Sequence, residues 1–238
     1  MVCILPTAQP MRRMLLVLFA LSGLYRVSLE AQTCRGLAPL PSGQFQATGT
    51  GLLAAGSRTL AAALVYDLPA GAFGGMGVGT TSVEAFEKSS LDLAASLGYQ
   101  FDIGGAGQVQ FCPTANTSLQ LGPNDAFESS VDRSTFSAGI GVTAGTSLRL
   151  RPLLSLVPAI AVGVGHRTHQ AESSAGVRLL RIAETYGFAQ FHVGFVLNQN
   201  LSIRPSVEIP LGLEGGDAAL GLTVGYHFGR RGPVANGD

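Results

Sequence analysis

The residues best suited to chemistry are two histidines in the stretch HRTHQAESS, His166 and His169. Glu172, Ser173 and Ser174 follow them, and a histidine with a neighbouring carboxylate and serine could form a hydrolytic site. An earlier polar stretch supplies three more carboxylates: Asp125, Glu128 and Asp132. The spacing matches no catalytic motif, and polar connectors are generally rich in such residues. The sequence therefore predicts solvated residues here and no catalytic residue, with a hydrolytic enzyme as the alternative.

Signals for cofactors and nucleic acids are equally weak. The glycine-rich stretches GGMGVG and GIGVTAG place their glycines at every second position, which is typical of strands and not of phosphate-binding loops. No spacing of histidine, cysteine and carboxylate suits a metal. The formal net charge is zero, so electrostatics give no reason to expect a nucleic acid partner. We expect no cofactor, no metal and no nucleic acid.

The N-terminal residues have the pattern of an export signal. Arg12 and Arg13 precede the short apolar run MLLVLFALSGL, and cleavage after Ala31 or Gln32 is plausible. The prediction is a signal peptide over residues 1–32, with Met11 as an alternative start. The apolar run is too short for the other interpretation, an uncleaved anchor helix.

The remaining chain is a succession of segments in which apolar and small or polar residues alternate. Hydrophobic residues make up 46% of the sequence and charged residues only 13%, yet beyond the signal no run is long enough for a membrane-spanning helix. Alternation with period two predicts strands. About ten are expected, at 44–52, 59–68, 72–80, 91–101, 108–120, 134–149, 154–165, 187–197, 201–211 and 220–229.

The connectors between these segments are of two kinds, and after the first hairpin short and long connectors alternate. Short ones such as NQN contrast with long polar ones such as GPNDAFESSVDRS. Barrels of the outer membrane have tight periplasmic turns and longer outer loops. The pattern therefore predicts an all-β fold, an antiparallel up-and-down transmembrane β-barrel over residues 44–229. Ten strands are expected, or eight if the weak first pair does not span the membrane.

The two faces of the predicted strands fit a barrel in a bilayer. In LGLTVGYHF, the apolar face would contact lipid; it consists of Leu220, Leu222, Val224, Tyr226 and Phe228. The lumen would hold the polar set Asp92, Arg149, His192, Arg204 and Glu208. Strand-end aromatics would form a girdle at the periplasmic interface: Tyr66, Tyr99, Phe101, Tyr226 and Phe228. Pro158 and Pro205 lie within predicted strands and indicate bulges there.

On this pattern the mature chain resembles the small bacterial outer-membrane β-barrel proteins. The last strand is similar to the C-terminal signal by which the barrel-assembly machinery recognises its clients, with Phe228 as the final aromatic residue. The sequence departs from many members in continuing past it, with a polar tail at 230–238. The resemblance implies a location in the bacterial outer membrane and contact with membrane lipids and lipopolysaccharide. It also implies contact with the assembly machinery during insertion and a monomeric barrel.

Two cysteines remain once the signal is removed, Cys34 and Cys112. An even pair in an exported protein favours one disulfide, with two unpaired thiols as the alternative. Cys34 would lie in a periplasmic N-terminal segment at 33–43 and Cys112 near the periplasmic rim, so that the bond would tie this segment to the barrel mouth. Such a tether could also close that end of the barrel.

The function expected from these features is structural: a barrel that displays its outer loops, for adhesion or envelope integrity. The alternatives are a narrow channel or small hydrophobe transporter, and a rim enzyme that hydrolyses lipid or peptide. The stretch GVRLLRIAE (176–184) is expected to extend its flanking strands beyond the membrane. Its alternative is an amphipathic segment whose arginines meet anionic lipopolysaccharide groups on the outer leaflet.

Overall fold

A computed structural model describes residues 33–35, 37, 43–68, 71–84, 88–102, 109–122, 131–173, 176–213 and 216–228. The predicted signal peptide and the polar tail lie outside these residues. Among these residues, a 3-10 turn, η1, covers Thr33–Arg35, and twelve strands follow. They are β1 Phe45–Ala54, β2 Ser57–Asp67, β3 Ala72–Val83, β4 Ser90–Tyr99, β5 Phe101–Asp102, β6 Gln110–Leu121, β7 Val131–Gly145, β8 Leu148–Arg151, β9 Leu154–Ser173, β10 Arg178–Leu197, β11 Leu201–Leu211 and β12 Ala219–Phe228. Within the described part of the chain, no helix is long and apolar enough to cross a membrane.

Ten of these strands form a closed ring of antiparallel neighbours. The order around it is β1, β2, β3, β4, β6, β7, β9, β10, β11 and β12. β12 then pairs with β1 from Phe45↔Phe228 to Leu53↔Leu220, which closes the barrel. The short strands β5 and β8 extend the wall against β6 and β9. The prediction of an up-and-down barrel of ten strands is confirmed, and the weak first pair of strands belongs to the wall.

The outer surface of the barrel is apolar and the inner surface is polar. In β12, Leu222 is 51% exposed on the outside, whereas its neighbour Thr223 is 2% exposed and points inward. The same alternation gives β1 an outward Leu53 and an inward Gln46. A chain in water would bury the apolar set, so this arrangement is stable only where lipid surrounds the barrel. The fold is therefore that of a transmembrane β-barrel.

Aromatic side chains cluster on the outside at the end of the barrel that carries the first residue of β1 and the last of β12. We call this the terminal end and the opposite one the loop end. Phe45 lies 4.7 Å from Tyr66, and Tyr226 lies 5.0 Å from Phe228, between ring centroids. Phe101 is within 6.4 Å of Tyr99 and 6.2 Å of Phe111. The predicted girdle residues thus lie at one edge of the apolar surface. Phe45 and Phe111, which were not predicted, belong to the same girdle.

The expected alternation of short turns and long loops is only partly correct. Between β9 and β10 the predicted long loop is mostly strand, because both strands continue for 20 residues. β7 continues with them, pairing Val131 with Ser173. At this height β10 is paired with β9 alone, since its pairing with β11 begins at Gly187. The loop end therefore carries a three-stranded sheet of β7, β9 and β10, and GVRLLRIAE extends a strand.

The predicted bulges at Pro158 and Pro205 are wrong. The register of β9 is continuous across Pro158, since Gly145 pairs with Ala159 and Leu148 with Leu156. The register shift between β8 and β9 lies farther along, between Arg149 and Arg151. Pro158 instead interrupts the ladder, and the break between β7 and β8 lies opposite it. Pro205 lies where the described pairing of β10 with β11 skips two positions and then resumes in register. A proline removes one backbone donor, and here the wall tolerates that loss without inserting a residue.

Candidate functional site: the lumen and its two ends

The terminal end of the lumen is occupied by residues 33–35 and 37, which we call the N-terminal segment. Cys34 in η1 forms a disulfide with Cys112 on the inner face of β6. Leu37 is 1% exposed, and η1 contacts β6, β7 and β9. The predicted disulfide is thus present, but the segment lies inside the barrel and not beside its mouth. The turn is seated against both apolar and polar inward side chains, since Cys34 packs with Phe73 and Cys112.

Arg35 is held between opposite sides of the wall. Its guanidinium lies 5.6 Å from the ring centroid of Phe73 on β3, in a cation–π arrangement. Its backbone carbonyl accepts a hydrogen bond from the Nη1 of Arg204 on β11. Burial and the neighbouring Arg204 charge lower the pKa of Arg35 to about 9. Two arginine side chains therefore share this part of the lumen.

Several polar atoms around the segment are buried without a hydrogen bond among the described residues. They include the Nη1 of Arg35, the Nε of Arg204 and both amide atoms of Gln46. The His192 side chain is 4% exposed and lies against the Cys34 backbone. An unsatisfied buried polar group costs about 1–3 kcal/mol. The segment is therefore seated against a polar wall that it satisfies poorly.

Nearer the loop end, Asp92 is the centre of a hydrogen-bond network that joins four strands. Thr81 on β3 donates to one carboxylate oxygen of Asp92, and Ser90 donates to the other at 3.3 Å. Gln120 on β6 donates to Ser90 at 2.9 Å, and Thr59 on β2 is 2.7 Å from Thr81. Each strand contributes a short polar side chain at the same height. This network couples β2, β3, β4 and β6 across the lumen face and leaves Asp92 well satisfied.

Aromatic rings of β10 lie flat against the inner wall over glycines. Tyr186 pairs with Gly165, and a Cβ there would come within 2.6 Å of its ring. Phe188 pairs with Gly163, where a Cβ would lie 2.5 Å from the ring. The two glycines thus make space for the rings, and the lumen stays open at a height where large side chains would otherwise project across it. The pattern fits the expectation that small residues are needed inside a narrow barrel.

The other residues predicted to line the lumen are placed as follows. Arg204 and Glu208 lie on the inner face of β11, and Gln190 donates to Glu208 at 3.4 Å. Arg149 differs from the expectation. It is exposed on β8 and donates to the Pro152 carbonyl at 3.5 Å. The reason is that β8 extends past the closed ring, where an inward position has no opposite wall.

The candidate hydrolytic residues are not brought together. His166 points outward, with its Nδ1 3.0 Å from the Thr185 hydroxyl, whereas His169 points inward, 2.8 Å from the Thr135 hydroxyl. Their spacing of three places them on opposite faces of one strand. Glu172 is 3.8 Å from Arg178, and the Ser173 hydroxyl accepts the Val177 amide in the β9–β10 turn. Asp132 lies across from Glu172 on β7. Ser174, Asp125 and Glu128 lie outside the described residues.

Sequence reasoning missed the residues that seat the segment. Arg35 stands next to a predicted disulfide cysteine but carries no pattern of its own. Phe73, whose ring contacts the Arg35 guanidinium, lies near the start of a glycine-rich strand in which apolar and polar residues alternate only weakly. Tyr186 and Phe188 could have been found, because they share the parity of His192 in β10 and so must face the lumen with it.

A closed ring with an apolar outer surface, an aromatic girdle and a polar lumen defines the class: an integral membrane β-barrel. Solved structures with a similar arrangement are outer-membrane proteins. Ail of Yersinia pestis, solved with a heparin analogue, is 15% identical, with 78% of this chain and 99% of that chain covered and a TM-score of 0.42. The β domain of the Bordetella autotransporter BrkA is 12% identical, with 79% and 99% covered and a TM-score of 0.46.

An outer membrane channel from Pseudomonas putida F1 is 13% identical, with 86% of this chain and all of that chain covered and a TM-score of 0.42. No protein-family model and no curated protein matches the chain significantly.

Proposed function

We propose that this protein is a barrel of the bacterial outer membrane that displays the three-stranded sheet of its loop end at the cell surface, in adhesion or envelope integrity. The observation that carries the proposal is the contrast between the two ends of one wall. The terminal end is filled by the protein's own N-terminal segment, and the loop end extends β7, β9 and β10 past the barrel.

The displayed sheet has the composition of an exposed recognition surface. Leu179 is 56% exposed and Leu180 is 50% exposed, next to the exposed Arg178 and Arg181. Apolar groups with cations beside them could bind a protein or an anionic envelope component. The extended strands also hold this surface more rigidly than a loop of the same length could.

Orientation and partners follow from the same proposal. The terminal end, with its aromatic girdle, faces the periplasm, and membrane lipids surround the apolar belt. The assembly machinery would read β12, whose outward residues end at Phe228. The barrel closes on itself through β1 and β12, so it needs no second copy to satisfy its strand edges within the membrane.

The test compares two leucines of similar exposure at opposite ends. Leu179 lies on the loop-end sheet, and Leu153, 65% exposed, lies in the turn between β8 and β9 at the terminal end. Leu179→Cys and Leu153→Cys are produced in a Gram-negative host and treated with a membrane-impermeant maleimide. We expect the cysteine at 179 to react on intact cells and the one at 153 to react only after the outer membrane is opened. Labelling of 153 alone on intact cells would overturn the orientation, and labelling of neither in an outer-membrane fraction would overturn display.

A further inference from the structure

The N-terminal segment reaches three separate parts of the wall at one height. Arg35 lies over Phe73 on β3, Cys34 is bonded to Cys112 on β6, and Arg204 on β11 binds the Arg35 carbonyl. In the closed order, only β4 separates β3 from β6 along the ring, and β11 lies four strands away from each of them. A segment that touches all three spans the cross-section of the lumen.

The described contacts that hold the segment, apart from the disulfide, are few. They comprise one hydrogen bond, one cation–π contact, the packing of Cys34 against Phe73, the contact of His192 with the Cys34 backbone and the burial of Leu37. The described part of the segment pairs with no strand. Docking also leaves the Nη1 of Arg35, the Nε of Arg204 and the amide of Gln46 buried without partners among the described residues. Such groups oppose docking, because in an open lumen water would satisfy them.

Beyond the segment, toward the loop end, the lumen is open to solvent. Ala94 on β4 and Asn116 on β6 lie on the inner face, and both are exposed. The inner wall at this height is kept wide by glycines that accommodate flat aromatic rings. Water therefore reaches into the lumen from the loop end.

We infer that the N-terminal segment is a plug locked by the Cys34–Cys112 bond, and that the barrel beneath it is a channel for ions and small hydrophilic solutes. This goes beyond surface display and depends on the proposed function only for the membrane location. The bond acts as a lock and not as a rapid switch. Cys34 is 4% exposed and Cys112 is 0% exposed, so a thiolate has no direct path to either sulfur.

The experiment measures potassium chloride current through purified protein in planar bilayers. It compares the wild type, Cys34→Ser/Cys112→Ser, and a mature chain that lacks residues 33–42. Ser137→Ala is the matched control, since Ser137 pairs with Ser118 and Arg167 in the wall, away from the segment. Heat-dependent gel mobility first establishes that each variant is a folded barrel.

We expect no current from the wild type and the control, brief channel openings from the double serine variant, and a steady current from the deletion variant. The current of the deletion should exceed that of the wild type at least tenfold. A folded deletion variant that carries no current would overturn the channel, and a wild type that conducts as well as the deletion would overturn the plug.

A second measurement tests whether the Cys34–Cys112 disulfide is what holds the segment in place. In Cys112→Ala, Cys34 keeps a free thiol, and its reaction with a maleimide reports whether the segment leaves its seat. We expect labelling of the folded barrel within minutes, whereas a Cys34 thiol that reacts only after the barrel is unfolded would show that packing and not the bond holds the segment. These outcomes do not depend on surface display, because a protein that labels correctly at positions 179 and 153 can still fail both tests.

Discussion

An arginine at the terminal end and an arginine toward the loop end differ in their burial and in their partners. At the terminal end, Arg204 is half-buried with its Nε buried, binds the Arg35 carbonyl and the Thr223 hydroxyl, and has no carboxylate partner among the described residues. Toward the loop end, Arg167 forms a 2.9 Å ion pair with Glu184, and both side chains are about one third exposed. Arg204 therefore holds the N-terminal segment in the lumen, and Arg167 joins β9 to β10.

This difference shows that one wall of regular strands supports two kinds of structure. At the terminal end, the N-terminal segment lies in the lumen, where it is buried and is held by a disulfide. Where β7, β9 and β10 leave the ring, polar and charged pairs face water. A surface ion pair of this type contributes about 0–1 kcal/mol, whereas the loss of a partner from a buried charge is far more costly. The terminal end should therefore be the sensitive end.

The largest effect is expected where neither end is involved, in the lipid-facing belt between them. Leu222→Arg places a charge on the outer face of β12 and should lower the free energy of unfolding by about 2–4 kcal/mol, because lipid does not solvate it. Leu179→Arg, equally exposed on the loop-end sheet, should change it by less than about 0.5 kcal/mol. The chain has no tryptophan, so heat-dependent gel mobility after equilibration in urea and lipid vesicles is the measurement.

Equal effects of the two arginines would contradict the placement of the belt. An assembly defect confined to Leu222→Arg would support it only if refolding into vesicles is impaired as well, since refolding does not involve the assembly machinery.

Removal of the disulfide should have the next largest effect and should act on the terminal end. The bond joins residues 78 positions apart; chain entropy alone gives about 4.5 kcal/mol for a loop of that size, and disulfides typically contribute about 2–4 kcal/mol. Cys34→Ser/Cys112→Ser should lower the stability by about 2–4 kcal/mol in the same urea titration. Amide hydrogen exchange should increase in β6 and η1 and remain unchanged in the loop-end sheet. Increased exchange at the loop end instead would mean that the two ends are not independent.

The inner wall between the ends provides a sharper comparison of two glycines. A Cβ at Gly163 would press on the Phe188 ring, whereas one at Gly49 meets nothing within 4 Å on the lipid face. Gly163→Ala should destabilise by about 1–3 kcal/mol through overpacking, and Gly49→Ala should be neutral or stabilising. A neutral result at 163 would show that Phe188 does not lie over the glycine.

The smallest effect is expected at the loop-end ion pair. Glu184→Gln removes the carboxylate that Arg167 binds, and the cost should stay below about 1 kcal/mol because both side chains reach solvent. Raising the salt concentration should weaken the wild type toward the variant. A loss of more than about 2 kcal/mol in the free energy of unfolding would show that the Arg167–Glu184 pair is buried, and the contrast with Arg204 would then be wrong.

Much of the barrel could be predicted from the sequence because its information is local. The parity of Leu222 and Thr223 assigns faces without any knowledge of neighbours, and ten such segments set the strand number. The ends of strands could not be obtained in this way. Residues 166–173 are polar on both faces, so alternation disappears at the point where β9 leaves the membrane and the sequence resembles a loop.

The site was predictable only where it depends on parity or cysteine count. Cys34 and Cys112 are the even pair, and His192 and Arg204 have inward parity. Whether the N-terminal segment lies beside the barrel or inside it depends on the space left by distant strands, which no local pattern encodes. Arg149 has inward parity as well, but its strand extends past the ring, and parity alone does not say where the ring ends.

The most direct test of the account is the accessibility of a nitroxide label moved along β12 in lipid vesicles. Labels are placed through Leu220→Cys, Gly221→Cys, Leu222→Cys, Thr223→Cys and Val224→Cys in the Cys34→Ser/Cys112→Ser background. We predict that collision with dissolved oxygen is high at 220, 222 and 224 and low at 221 and 223, because the first set contacts lipid. A uniform profile, or one with the opposite phase, would contradict the transmembrane barrel and with it the placement of both ends.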